Sequence, residues 1–92
     1  MVKAMIDLKE QFYLAIHDSR VKIAELKQKK AEMKPMLWEE ATGTVDQKKD
    51  FIKSRTADID ADISFLDAEI ELRYNQAKIL DDKIDLELMK DD

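Results

Sequence analysis

Apolar side chains recur every three or four residues along almost the whole chain, and the rhythm is interrupted once, near the middle. In the first half, Val2, Met5, Lys9, Phe12, Ile16, Ser19, Ile23, Leu26, Lys30, Met33 and Leu37 advance by alternating threes and fours, and eight of these eleven are apolar. That spacing lays one stripe along one face of a helix. In the second half, the stripe is Val45, Ile52, Thr56, Ile59, Ile63, Leu66, Ile70, Arg73 or Tyr74, Ala77, Leu80 and Ile84. The pattern predicts an all-α fold: a coiled-coil-like antiparallel two-helix hairpin, one domain over 1–92. Helix 1 covers about 2–41, a turn 42–44, and helix 2 about 45–90.

The interruption carries the only proline and the only glycine, Pro35 and Gly43. A proline inside a helix removes one amide donor and its ring presses on the carbonyl four residues back. Helix 1 therefore either ends near Lys34 or kinks there and resumes. The kink is the better reading, because Leu37 and Trp38 continue the apolar face. Gly43 suits the left-handed residue that closes a helix. Thr44 followed by Gln47 is a capping-box pattern, and Asp46 places a negative charge near the positive end of a helix dipole. Reversal about Gly43 pairs residues whose numbers add to roughly 86 and sets apolar layers against each other. Leu26 then meets Ile59, Ile23 meets Ile63, Ile16 meets Ile70, Phe12 meets Tyr74 and Met5 meets Leu80.

The second helix has more apolar surface than one partner can cover. Phe65, Leu72, Ile79 and Leu86 recur every seven residues, with Ala61, Ala68 and Met89 beside them. At about 100° per residue this row lies more than 90° from the main stripe. Ile6, Leu8, Tyr13 and Leu14 are a matching excess in helix 1. Scattered exposed leucines are ordinary on protein surfaces, whereas contiguous apolar rows mark contacts. The expectation is self-association of two hairpins into a four-helix bundle, through Ile6, Tyr13, Phe65, Leu72, Ile79 and Leu86 at the open ends.

Charge adds a second pattern. Residues 20–34 hold Arg20, Lys22, Lys27, Lys29, Lys30 and Lys34 against Glu25 and Glu32, while residues 56–72 hold Asp58, Asp60, Asp62, Asp67, Glu69 and Glu71 with no base. Opposite charges flanking a seam select partner and direction in a coiled coil, here with Lys27 and Lys30 alongside Asp58 and Asp60. An alternative use of the same carboxylates is a phosphate-mimicking ladder, in which Asp58, Asp60, Asp62, Asp67 and Glu69 occupy the basic groove of a nucleic-acid enzyme. Trp38, beside the proline and the turn, reads either as a partner contact or as a cap over the end of the core.

Composition excludes more than it identifies. Charged residues make up 40% of the chain and apolar residues 45%, a profile of long helices rather than of disorder. Cysteine is absent, so disulfides and thiolate metal sites are ruled out. No run approaches a membrane span. Residues 1–12 carry acids early and lack the apolar block of a signal peptide, so a cytoplasmic location is expected. His17 is the sole histidine, and the glutamate-x-x-histidine pairs of two-metal bundles do not occur. His17, Asp18 and Ser19 are consecutive, an order that cannot converge on one reacting atom in a helix. One glycine cannot build a phosphate-cradling loop. The Asp58, Asp60, Asp62 run lacks the glycine and the later glutamate of a calcium loop. A net charge of −5 opposes nucleic-acid binding, although Lys29, Lys30, Lys34, Lys48, Lys49, Lys53 and Arg55 gather near the turn. The expectations are therefore a non-enzymatic interaction protein, no cofactor, no metal, an unknown protein partner and a homodimer.

Residues 37–54, containing the alanine-threonine-glycine-threonine-valine turn Ala41 to Val45 and a basic start at Lys48 and Lys49, are followed by the aspartate/isoleucine run Ala57 to Ile63. This third of the chain resembles small helical accessory proteins encoded in early or recombination regions of bacteriophages of Gram-positive bacteria. The resemblance implies an accessory role in DNA metabolism or on a host factor, inside the host cytoplasm. It implies no catalytic residues.

Overall fold

The computed structural model describes residues 1–90. It is all-helical, with three helices: α1 (Val2–Glu40), α2 (Val45–Arg55) and α3 (Ala57–Lys90). Among the described residues there is no strand. The molecule is a rod, 71 × 17 × 14 Å.

α1 runs through Pro35 without ending there and stops at Glu40, where the Ala41 amide still donates to the Leu37 carbonyl at 2.9 Å. Leu37 and Ala41 are buried and close the core at this end. The chain then reverses through Gly43, whose φ of 99° lies in the left-handed region that side chains avoid. Thr44 caps α2 reciprocally: its hydroxyl accepts from the Gln47 amide at 3.2 Å, and the Gln47 side chain accepts from the Thr44 amide at 2.9 Å. A Cβ added at Gly43 would stand 2.0 Å from Gln47 Oε1, so it would displace the group that completes the cap. Gly43→Ala is therefore expected to cost more than the roughly 1 kcal/mol of a lost cap alone, because backbone strain adds to it. Thermal unfolding of Gly43→Ala beside Thr44→Ala measures the difference; equal losses would show that the positive φ carries no strain.

The stretch 45–90 is two helices rather than the single one its periodicity implies. The break falls at Thr56, with φ −105° and ψ 6°. Thr56 is fully buried, and its hydroxyl donates to the Ile52 carbonyl at 2.9 Å. A threonine that back-bonds in this way satisfies its hydroxyl inside the core and bends the helix at that point. The amide ladder is kept on both sides, Thr56 N–H to Ile52 and Asp60 N–H to Thr56, each at 3.0 Å. α2 and α3 thus meet at Thr56.

α1 packs along α3 and, at its C-terminal end, against α2. All eleven positions of the α1 stripe are buried or half-buried, Ile16 and Ile23 most deeply. On the other side Thr56, Ile59, Ala77, Leu80 and Ile84 are buried, and Ile52, Ile63, Leu66, Ile70 and Arg73 half-buried. Tyr74 and Val45 are exposed, so the seam takes Arg73, whose guanidinium donates to Gln76 at 3.3 Å. Ala77 has no exposed surface within this seam.

The helices oppose each other in direction, since Lys9 near the start of α1 pairs with Asp81 near the end of α3, and Lys30 pairs with Asp60 at 2.7 Å. Both partners lie about one helical turn further along α3 than reversal about Gly43 alone implies, which is Ala77 for Lys9 and Thr56 for Lys30. Lys48, by contrast, sits over the Trp38 ring at 4.9 Å, as that reversal implies. The offset begins past Thr56, where the non-helical residue resets the phase of α3. The lysine–aspartate pairs orient the seam rather than hold it, because exposed pairs contribute only ~0.2–1 kcal/mol each. Asp81 raises the Lys9 pKa above 10.5, first by a hydrogen bond and then by its charge. The Lys9 charge on which this pair depends is therefore lost as pH rises through the raised Lys9 pKa.

Candidate interaction surfaces

The α3 outer row is exposed. Phe65 is 65% exposed, Leu72 53%, Ile79 55% and Leu86 59%. At about 100° per residue Leu72, Ile79 and Leu86 lie about 140–180° from Ile59 around α3, and Phe65 about 120°, turned toward the α1 flank. Ala68, Asn75, Asp82 and Met89 interleave with them at alternating three- and four-residue steps and are also exposed. The outer face of α3 is thus a second heptad stripe, Phe65, Ala68, Leu72, Asn75, Ile79, Asp82, Leu86 and Met89, of which six are apolar.

Ile6 and Tyr13 are exposed, 41% each, but they are not brought together with that row. Phe65 lies beside Lys22, Glu25 and Lys29 of α1, around an open groove of about 410 Å³ floored by Leu26 and Leu66. Tyr13 and Ile6 point about 160–180° away from Lys22 on α1. Tyr13 instead stands under Lys9, 5.9 Å from its ring centroid, on the flank where Lys9 meets Asp81. Tyr13 and Phe65 thus lie on different flanks of the rod. Pairing by residue number along the rod carries no information about flank, which is why the sequence reading merged them.

The acidic run is also divided. At about 100° per residue, Asp58, Asp62 and Glu69 fall on one side of the α3 seam and Asp60, Asp67 and Glu71 on the other. Asp60 is engaged by Lys30, and Asp62 lines the groove with Lys22 and Lys29. The carboxylates therefore flank α1 on both sides instead of forming a single ladder. Glu69 and Asp60 are half-buried, while Asp58, Asp62 and Asp67 are exposed.

Trp38 is 39% exposed and stacks under the Lys48 ammonium, an attraction of about 0.5–1 kcal/mol at an exposed site. It rests on the side of the tip, since Leu37 and Ala41 fill the end of the core. Another cation–aromatic arrangement follows in α2, Arg55 over Phe51 at 5.1 Å. His17 is exposed on α1. No group of three or more histidine or acidic side chains among the described residues is placed to hold a metal ion. No helix of the described residues is long and apolar enough to cross a membrane.

Four of the bases that the sequence gathers near the turn line one groove. Lys30 and Lys34 of α1 face Lys49 and Lys53 of α2 across a cleft of about 320 Å³ lined also by Ile52, Thr56 and Asp60. The four-residue steps from Lys30 to Lys34 and from Lys49 to Lys53 were the available signal, because such steps keep each pair on one helix face. Comparison with protein-family models, with curated proteins and with solved structures gave no match.

Proposed function

We propose that this protein is a non-enzymatic interaction module, a helical hairpin that self-associates through the outer face of α3. The observation that carries the reading is the second heptad stripe, whose Phe65, Leu72, Ile79 and Leu86 are each more than half exposed. A monomeric rod this thin gains nothing from such a stripe, and contiguous apolar rows of this kind mark contact surfaces.

Charge along α3 selects the direction of pairing. Its first half, residues 57–72, carries acids and no base, while Arg73, Lys78, Lys83 and Lys90 all lie in the second half. Parallel pairing would set carboxylates against carboxylates and Asp82 against its own copy. Antiparallel pairing sets the acidic half against the half that holds the cations, and centres on the Asn75–Ile79 region, where Phe65 approaches Met89 and Ala68 approaches Leu86. Ala68 then meets the larger Leu86 and Asn75 meets Ile79, while Leu72 faces Asp82. The product is a four-helix assembly with the two α3 helices at its centre and each α1 outside.

Eight half-covered large side chains regain roughly 6–12 kcal/mol on pairing. Association costs about 4–15 kcal/mol of lost freedom. The two are close, so the expected dimer is a reversible one in the micromolar range rather than an obligate one. Sedimentation equilibrium from 1 to 100 µM (about the range where such a balance turns over) tests it: a mass that stays at 10.7 kDa throughout would refute the reading. In the setting that the turn sequence implies, the assembled module serves a phage or host factor of DNA metabolism.

A further inference from the structure

We infer that the groove between α1 and α2 at the turn end is a binding site for a short chain of phosphates. Its walls are Lys30 and Lys34 on one helix and Lys49 and Lys53 on the other, and its floor is Ile52 and Thr56. Asp60 is the one carboxylate in the lining, and Lys30 already holds it at 2.7 Å. Among the described residues no carboxylate lies within 4.0 Å of Lys34, Lys49 or Lys53.

Lys34, Lys49 and Lys53 line one cleft without a carboxylate partner among the described residues, and the chain had acids to spare against them. The protein carries 21 acidic residues against 16 basic ones, yet the lining of this cleft is nearly free of them. A solvated lysine face on a single helix would point its charges outward and apart. Here two helices are folded against each other so that lysines of both line one cleft, with Ile52 and Thr56 between them. Thr56 directs its hydroxyl proton to Ile52, so the floor adds no competing donor or acceptor pair of its own.

The volume of about 320 Å³ is at the lower end of small-ligand sites. It suits two or three linked phosphates, whose closely spaced negative charges match lysines on opposite walls; ammonium groups bind phosphate as point charges without needing a planar counterpart. The site is distinct from the outer face of α3 and does not depend on self-association. Trp38 with Lys48 above it lies toward the tip from Lys34 and Lys49, so a base attached to the phosphates would meet an aromatic surface next to the groove. A free oligophosphate and the backbone of a single-stranded nucleic acid share the required chemistry.

Isothermal titration of the full chain with sodium tripolyphosphate, and separately with a single-stranded ten-nucleotide thymidine oligomer, tests the inference in low salt. Saturable binding of either probe is expected, with tripolyphosphate alone indicating a free oligophosphate and the oligomer alone indicating a nucleic-acid strand. Each of Lys34→Gln, Lys49→Gln and Lys53→Gln should weaken it by about tenfold. Lys3→Gln, Arg20→Gln and Lys22→Gln in combination, far from the groove, remove three charges where each groove variant removes one, and should still leave binding within about threefold. No binding of either probe would overturn the inference. So would equal losses in the distant triple variant, which would reduce the effect to net charge. Circular dichroism matched to wild type establishes that each variant is folded, since all six residues are exposed.

Discussion

Leu72→Asp with Ile79→Asp should convert the protein to a monomer across the micromolar range while leaving its helicity unchanged. Both side chains are more than half exposed, so the fold of the single chain loses little when they become polar. In the pair, four half-buried apolar side chains disappear, which removes roughly 3–6 kcal/mol, and four carboxylates enter a face that antiparallel packing dries. At 1.4 kcal/mol for each tenfold, the dissociation constant rises by about a hundredfold or more. Ile6→Asp with Tyr13→Asp supplies the contrast, because these residues lie on the other flank and should leave the solution mass unaltered. Light scattering on both double variants separates the possibilities. A mass lowered by the second pair and not by the first would move the contact surface to the Lys9 flank.

Ile16→Ala is the substitution expected to damage the fold itself most. Ile16 is 3% exposed and belongs to a core only one layer deep, with few neighbours able to collapse into the space left behind. Truncations of this kind cost about 2–5 kcal/mol. A chain of this length has a total stability of roughly 5–14 kcal/mol, so one side chain represents a large share of it. The thermal midpoint should fall by about 10–30 °C at a fixed protein concentration. Lys30→Met, which breaks the ion pair with Asp60, should cost less than ~1 kcal/mol because the pair is partly solvated. Urea unfolding of the two variants ranks apolar burial against charge pairing. If Lys30→Met proves as damaging as Ile16→Ala, the seam is held by its charges and the packing argument fails.

Two features illustrate where sequence reasoning reaches and where it stops. Gly43, Thr44 and Gln47 announce a chain reversal because each has a local role: a left-handed backbone, a hydroxyl acceptor and a returning side chain, all within five residues. The reciprocal bonds at Thr44 and Gln47 are that local chemistry realised. Thr56 behaves differently. In the periodic pattern it counts as one more seam position of the second helix, and its hydroxyl is a small departure from the apolar rule. Buried completely, the same hydroxyl must find an acceptor, and the nearest one is the Ile52 carbonyl. The bend follows from burial, which no local pattern records.

The seam along α1, the helical class and the existence of an unspent apolar row on α3 are one-dimensional properties, written in the spacing of residues every three, four and seven positions. They were readable because helical geometry turns spacing directly into faces. The offset of α3 by about a turn, the placement of Tyr13 and Phe65 on different flanks, and the convergence of Lys30, Lys34, Lys49 and Lys53 on one cleft are relations between helices. Such relations depend on rotation about each axis and on the bend at Thr56, and these are set by how side chains pack once the rods are brought together.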